Sequence, residues 1–131
     1  MARFDIDGFD EVIRDLENLG RFDEIAPKII EESIPILEAE VRKEVSRHKD
    51  TGAMAASIKT TGATAHNDGY YAVVRPTGKD EKGVRNMEKL AYLEYGTSRE
   101  AARPVLTKAV NSAEPKVLKK QQEVFDREVG L

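Results

Sequence analysis

A long apolar stripe near the start of the chain constrains the fold more than any other feature of the sequence. Its aliphatic side chains recur mostly at steps of three and four residues: Ile29, Ile30, Ile34, Leu37, Val41 and Val45. This spacing is the period of an amphipathic α-helix and predicts a helix from Asp23 to about Arg47. Pro27 is tolerated near its first turn, whereas Pro35 lies inside the stripe and predicts a kink.

Helical patterns also occupy both ends of the chain. Within residues 1–20, apolar side chains follow Asp7 at helical spacing up to a stop at Gly20, which predicts an acidic N-terminal helix. Near the C-terminus, Pro104 stands where the first residue of a helix belongs. The apolar positions that follow it are Leu106, Val110, Ala113, Val117, Val124 and Phe125. Pro115 interrupts this stripe and predicts a second kinked helix.

The middle of the chain favours extended structure. β-Branched residues follow Ser57, and the turn residues 66–69 lead into the apolar segment 70–75, so we expect an antiparallel hairpin. The polar, glycine-bearing segment 76–86 predicts a flexible loop, after which Asn86 is expected to cap a short helix that stops at Gly96. This order predicts a single α+β domain over residues 1–131. In it, a long kinked N-terminal helix and a C-terminal helix pack on a small antiparallel β-sheet.

Composition narrows the class of protein. The chain has no cysteine, which excludes a disulfide framework and a thiolate zinc site. Its first residues lack a secretory pattern and no apolar run approaches the roughly 18 residues of a membrane span, so we expect assembly in the cytoplasm and no membrane partner. Residues 1–32 carry ten acidic and four basic side chains, whereas the remainder has a balance of +3. Because no concentrated basic face is visible, the sequence predicts no strong nucleic-acid binding.

Few residues of this chain are suited to catalysis. The two histidines, His48 and His66, have no second ligand at metal-binding spacing. Gly78 and Gly83 have the spacing of a phosphate loop but lack the lysine–hydroxyl pair that binds the phosphates. We therefore expect a protein that is not an enzyme and that needs no metal or cofactor. A small nuclease acting through His48 and Asp50 is the least favoured alternative.

The segment 90–106, LAYLEYGTSREAARPVL, is the most informative part of the sequence. Tyr92 and Tyr95 are large side chains with a polar tip, a residue type enriched at protein interfaces. Glu94 shares the apolar face of the short helix, and such a carboxylate needs a partner. Arg99 and Arg103 are candidate partners within plausible reach. An ion pair with either arginine would join two helices of one subunit or would join two subunits, and both interpretations stay open.

Several motifs in this order resemble those of the head–tail connector family of lambdoid tailed phages, whose members are also called neck, minor tail or tail-completion proteins. Residues 92–97 (YLEYGT) and 102–106 (ARPVL) are similar to the EFGT and ARPFL signature of that family. Residues 50–58, DTGAMAASI, are similar to its TG-x-L-x-x-S-I element after the long helix. The resemblance covers about residues 20–128, with Tyr95 and Val105 at positions where the family prefers phenylalanine.

The resemblance implies a structural component of the neck or tail of a phage or prophage, located in the virion. Copies would form a ring, often sixfold or twelvefold in this family, between the portal-side connector and the tail-tube or terminator proteins. DNA would pass nearby without strong specific binding. The candidate interface residues are Thr51, Gly52, Tyr92, Glu94, Tyr95, Gly96, Thr97, Arg103 and Pro104. The alternative from a different class is a host-cell regulatory or toxin–antitoxin-like domain that binds protein or nucleic acid.

Overall fold

The first long helix of the chain matches its sequence prediction closely. A computed structural model describes residues 11–13, 20–48, 52–67 and 69–130. In it, helix α1 runs from Phe22 to Ser46 and contains both Pro27 and Pro35. The predicted helix is thus confirmed to within one residue at each end. Of the predicted N-terminal helix, residues 11–13 are described and helical, whereas its cap at Asp7 lies outside the described residues.

The C-terminal helix, α4 (Leu106–Val129), packs antiparallel along α1. Ion pairs join the two helices along their length, from Lys28 with Glu128 at one end to Glu40 with Lys116 at the other. Burying aliphatic side chains between them is the main source of stability, at about 1.5–3 kcal/mol for each fully buried one. The larger buried cluster contains Leu37, Val41, Val45, Met54, Ile58, Val74, Leu90, Val105, Leu106, Ala109, Ala113 and Val117. A smaller cluster contains Ile25, Ile29 and Val124.

One antiparallel hairpin forms the β part of the fold. Its four short strands are β1 (Ile58–Thr60), β2 (Thr64–His66), β3 (Gly69–Tyr71) and β4 (Val74–Pro76). β1 pairs with β4 and β2 with β3, and the predicted turn is at the tip, where Asn67 has a φ of 53°. Between the two ladders, Gly62 and Ala63 lie opposite Ala72 alone. This is the arrangement of a β-bulge, which bends a hairpin, and the sequence analysis did not predict it.

The segment between β4 and the next helix has a hydrogen-bonded structure centred on Asp80. The Asp80 carboxylate accepts two backbone N–H groups of the turn at 2.9 Å and forms an ion pair with Lys89. Lys79 and Arg85 form an antiparallel β-bridge across the same turn. These contacts form a hydrogen-bonded turn, because one aspartate can satisfy the backbone donors of a polar turn. The flexibility predicted for residues 76–86 stays a prediction.

Two short helices, α2 (Gly52–Ser57) and α3 (Asn86–Tyr95), pack against each other. The sequence predicted that the side chain of Asn86 caps α3, but in the structure it does not. It is buried as the first residue of the helix and donates a hydrogen bond from its amide to the carbonyl oxygen of Thr77 at 2.7 Å. The Asn86 side chain therefore ties α3 to the end of the hairpin.

Helices and two antiparallel two-stranded sheets together make an α+β fold, as predicted. The hairpin contributes Ile58 and Val74 to the larger core cluster, whereas α4 packs mainly on α1 rather than on the sheet. The kinks expected at Pro35 and Pro115 stay predictions. Among the described residues, none of the helices combines the length and the apolar character required to cross a membrane.

Candidate functional site

The packing of α2 on α3 brings together the two halves of the motif. α2 begins at Gly52, and α3 carries Tyr92, Glu94 and Tyr95 near its end. Each helix places one apolar side chain in the same core cluster, Met54 from α2 and Leu90 from α3, and both are buried. The two motif elements are therefore neighbours in the fold although they are distant in sequence. Thr51, predicted to cap α2, lies outside the described residues.

Gly96 ends α3 in a backbone conformation that is open almost only to glycine. Its φ is 77° and its ψ is 177°, and such angles strain any residue that has a Cβ atom. The chain also turns back on itself here. A Cβ atom on Gly96 would lie 2.7 Å from the backbone nitrogen of Ala102 and 3.0 Å from the carbonyl oxygen of Glu100. The predicted helix stop is confirmed, and the close approach of the loop backbone is a second reason for glycine.

The carboxylate of Glu94 caps the start of α4. Its Oε2 atom accepts the backbone N–H groups of Val105 at 2.8 Å and Leu106 at 2.7 Å. Its Oε1 atom accepts the backbone N–H of Thr107 at 3.2 Å and the hydroxyl of Thr107 at 2.7 Å. The first N–H groups of a helix have no partner inside the helix, and its positive end favours an anion. Since the N-cap residue Val105 makes no side-chain cap, Glu94 takes this role from eleven positions away.

Within the subunit, the predicted ion pair of Glu94 with Arg99 or Arg103 is thereby corrected, whereas a pair between two subunits stays a prediction. Arg103 instead forms an ion pair with Glu100 at 3.5 Å between exposed side chains, and surface pairs of this kind contribute little to stability. Pro104 precedes α4 by two residues rather than opening it, because the helix begins at Leu106. Within the subunit, the carboxylate of Glu94 binds to the start of α4 because several hydrogen-bond donors lie together there.

The remaining loop, residues 97–103, is closed by its own hydrogen bonds. The Thr97 hydroxyl accepts the backbone N–H groups of Arg99 at 3.2 Å and Glu100 at 3.1 Å. The Thr97 N–H donates to the carbonyl oxygen of Glu100 at 2.9 Å, and the Arg103 N–H donates to that of Leu93 at 2.7 Å. The backbone between the two helices is therefore held at both ends and in the middle.

Two tyrosines stand out from this fixed backbone. The side chain of Tyr95 is 77% exposed and that of Tyr92 is 50% exposed, the largest exposures among the large apolar residues of the part that the structure describes. The Tyr92 hydroxyl donates to the Glu88 carboxylate at 2.6 Å, and this hydrogen bond raises the pKa of Tyr92. Tyr92 is thus oriented by its own helix, whereas Tyr95 projects into solvent beside Gly96.

Glu94 should make stability depend on pH in a defined direction. Burial alone raises the pKa of Glu94, but the hydrogen bonds from Thr107, Leu106 and Val105 outweigh burial and hold the pKa below its ordinary value of 4.5. A lowered native pKa stabilises the fold above the unfolded pKa, and this contribution is lost as pH falls through the native value. In chemical unfolding from about pH 7 to pH 3, we expect the stability gap between wild type and Glu94→Gln to be constant near neutrality and to shrink below pH 4.5. A gap that stays the same to the lowest pH would contradict this capping role.

The described residues give less support to the other candidate sites. Asp50, which the nuclease alternative requires beside His48, lies outside them. No group of three or more histidine, aspartate or glutamate side chains in the described ranges is placed to hold a metal ion. A cavity of about 470 Å³ lies between the start of α1 and the tip of the hairpin, and Asp23 and Tyr70 are among the residues that line it. Its lining shares no residue with the motif.

The backbone N–H groups at the start of α4, which complete this site, were not predicted from the sequence. A signal for them is present, because Pro104 and Val105 before Leu106 offer no side-chain acceptor, so α4 needs one from elsewhere. The resulting arrangement holds one backbone conformation around two exposed tyrosines, and such preorganisation favours binding to another protein surface.

Comparisons of the chain with protein-family models, with curated proteins and with solved structures found no match.

Proposed function

We propose that this protein is a structural subunit of the neck or tail of a tailed phage or prophage. Copies would assemble into a ring between the portal-side connector and the tail proteins. The motif resemblance over residues 20–128 supports this assignment. The observation that carries it is the 77% exposure of Tyr95 at the end of α3, between Glu94, which caps α4, and Gly96, over which the next loop folds closely.

An exposed tyrosine on a fixed backbone is suited to anchor a protein interface. Tyrosine is enriched among the residues whose truncation costs most in binding, because it buries a large area with few rotatable bonds. A loop that is already ordered loses little further entropy on association. The family that the motif resembles prefers phenylalanine at the position of Tyr95, and an aromatic side chain there is solvent-exposed in the isolated subunit.

A ring requires a heterologous contact, in which one surface of a subunit meets a different surface of the next. The Tyr92–Tyr95 end of α3 supplies one candidate surface for that contact, and the neighbour must supply an apolar recess with a polar rim. Function would then consist of assembly and of holding a channel open, with no bond made or broken. The regulatory-domain alternative differs because it requires a host protein or nucleic acid as partner and no ring.

The assembly proposal predicts a selective effect of the Tyr95→Ala substitution. Self-association of the purified chain, alone and mixed with its portal-side and tail-side neighbours, would be followed by analytical ultracentrifugation and negative-stain microscopy. We expect rings or tubes of the wild-type chain at high concentration. Tyr95→Ala should raise the concentration needed for assembly by about 30-fold, as the loss of a central interface residue does. Tyr71→Ala, at a tyrosine that is 39% exposed on the hairpin, is the matched control and should assemble like wild type.

Two results would count against the proposal. One is a chain that stays monomeric at every concentration and with every neighbour. The other is assembly that Tyr95→Ala and Tyr71→Ala weaken equally, which would move the interface away from the end of α3. Circular dichroism of each variant keeps loss of folding distinct from loss of assembly.

A further inference from the structure

The hairpin carries a cross-strand pair of like charges on its exposed side. In the register of β1 and β4, Lys59 lies directly opposite Arg75. Both side chains are exposed, whereas the flanking pair of Ile58 and Pro76 is buried. Like charges directly opposite each other destabilise a sheet. The hairpin therefore has an unfavourable electrostatic contact near its base, between two exposed side chains.

A second pair of the same kind follows along the chain. The bridge after β4 places Lys79 opposite Arg85, and both side chains are exposed. Within the described residues, none of the four cations Lys59, Arg75, Lys79 and Arg85 takes part in an ion pair with a carboxylate. The carboxylate of Asp80, next to Lys79, is occupied by Lys89 and by backbone N–H groups. Two uncompensated cation pairs thus lie on one hairpin and its extension.

Exposed hydroxyl groups lie on the second ladder of the hairpin. Thr64 and Tyr71 face each other across β2 and β3, and both are exposed. Phosphate oxygens accept hydrogen bonds from arginine, lysine, threonine and tyrosine, which is the set of donors found here. A single-stranded nucleic acid would instead need a series of aromatic rings on which successive bases stack. Tyr71 is the one large aromatic ring with a substantially exposed side chain on the described strands.

We propose that the exposed cations at the base of this hairpin, Lys59 and Arg75, with those of its extension, bind the phosphate backbone of duplex DNA without sequence preference. Binding would relieve the repulsion within each cation pair and would release counterions from the DNA. The alternative occupant is an acidic surface of a second copy of the chain. It is less favoured because two carboxylates in the first half of α1 are already paired within the subunit, Glu24 with Arg21 and Glu32 with Arg127. The proposal goes beyond the assembly proposed above and does not depend on it.

The fold explains why the sequence analysis found no basic face. The four cations stand at scattered positions among neutral and acidic residues, and only strand pairing brings them together in twos. With four cations, the interaction should be weak and strongly dependent on salt. The logarithm of the binding constant should fall with the logarithm of the salt concentration with a slope of about −3 to −4.

The test measures binding of the full chain to a short labelled duplex of mixed sequence by fluorescence anisotropy at several salt concentrations. For wild type we expect affinity to drop about 100-fold between 50 and 200 mM salt. The double variant Lys59→Gln, Arg75→Gln should reduce the slope by about two units, because each phosphate contact contributes about 0.9. The matched control is Lys108→Gln, Lys119→Gln, which removes the same charge from exposed positions of α4 and should leave the slope unchanged.

A stability measurement separates a binding role from a structural one. Lys59→Glu places opposite charges across from each other in β1 and β4, so its thermal midpoint should equal or exceed that of wild type while DNA affinity falls. Three outcomes would overturn the proposal. The first is an equal salt slope in the two double variants, and the second is tighter binding of a single strand than of the duplex. The third is self-association that depends on salt and is lost in the Lys59→Gln, Arg75→Gln variant, with no DNA binding observed. The last outcome would assign these cations to a second copy of the chain.

Discussion

Replacing Gly96 with alanine is expected to lower the free energy of unfolding by about 3 kcal/mol. Two costs combine at this position. The backbone angles, φ 77° and ψ 177°, strain any residue with a Cβ atom. The new atom would also lie 2.7 Å from the backbone nitrogen of Ala102, which cannot retreat without disturbing the loop that Thr97 and Glu100 close. Urea denaturation with a common m-value would measure the difference.

Alanine substitutions at two other glycines would separate the cost of the backbone angles from the cost of the close contact. Gly83 has a φ of 81° but open space around a Cβ atom, so Gly83→Ala should lose only the conformational part, about 1–2 kcal/mol. Gly62 has neither a positive φ nor a close neighbour, and Gly62→Ala should change stability by less than about 0.5 kcal/mol. If Gly96→Ala costs no more than Gly83→Ala, then the loop backbone does not approach Gly96 as closely as described.

The same substitution connects stability to the proposed interface. Gly96 follows Tyr95 directly, and the loop that folds over Gly96 ends two residues before Val105, whose N–H group Glu94 holds. A shift of this loop would therefore move Tyr95 and disturb the cap of α4 together. A Gly96 variant that still folds should for this reason lose assembly more than its stability alone explains.

The parts of the fold that local sequence patterns determine were predictable. The apolar spacing of α1 gave its two ends to within one residue, because an amphipathic stripe and the start and stop residues are local signals. The turn at Asn67 and the stop at Gly96 were predictable for the same reason, since both positions need a backbone conformation with positive φ.

The parts that depend on distant contacts were not predictable. The bulge at Gly62 and Ala63 is set by how two strands pair, and no local pattern encodes the pairing of Lys59 with Arg75. Likewise, Asn86 was expected to cap its own helix, but burial beside β4 gives its amide a carbonyl partner there. In each case a tertiary contact outweighed a local preference.

Glu94 shows the difference most clearly. Its position on an apolar face correctly indicated a carboxylate with a partner, and two arginines follow it in the sequence, Arg99 and Arg103. The charge of Glu94 predicted an ion pair. In the structure, its carboxylate instead accepts hydrogen bonds from three backbone N–H groups and a hydroxyl group of α4. A residue-by-residue search for charges does not consider backbone N–H donors. Only the absence of a local N-cap residue before Leu106 indicated that the start of α4 needs an acceptor from elsewhere.

Glu94→Ala is accordingly expected to lower the free energy of unfolding by about 3 kcal/mol. The substitution would leave the N–H groups of the buried residues Val105 and Leu106 without an acceptor, at about 1–3 kcal/mol for each buried group. It would also remove the negative charge from the positive end of α4. Glu94→Gln retains one acceptor oxygen and should lose roughly half as much. Chemical denaturation, together with hydrogen exchange at the N–H groups of Val105 and Leu106, would measure both effects.

Arg103→Ala is the variant that decides between the two accounts of Glu94. If Glu94 caps α4, Arg103→Ala removes only an exposed pair with Glu100 and should change stability by less than about 1 kcal/mol. If Glu94 and Arg103 instead form the stabilising pair, the two alanine variants should lose similar amounts and the double variant should lose little more than either one. Equal losses, with unchanged hydrogen exchange at Val105 and Leu106, would contradict the cap. A large loss for Glu94→Ala alone would establish that this carboxylate holds α3 and α4 of one subunit together, and would leave Arg103 free for a neighbouring subunit.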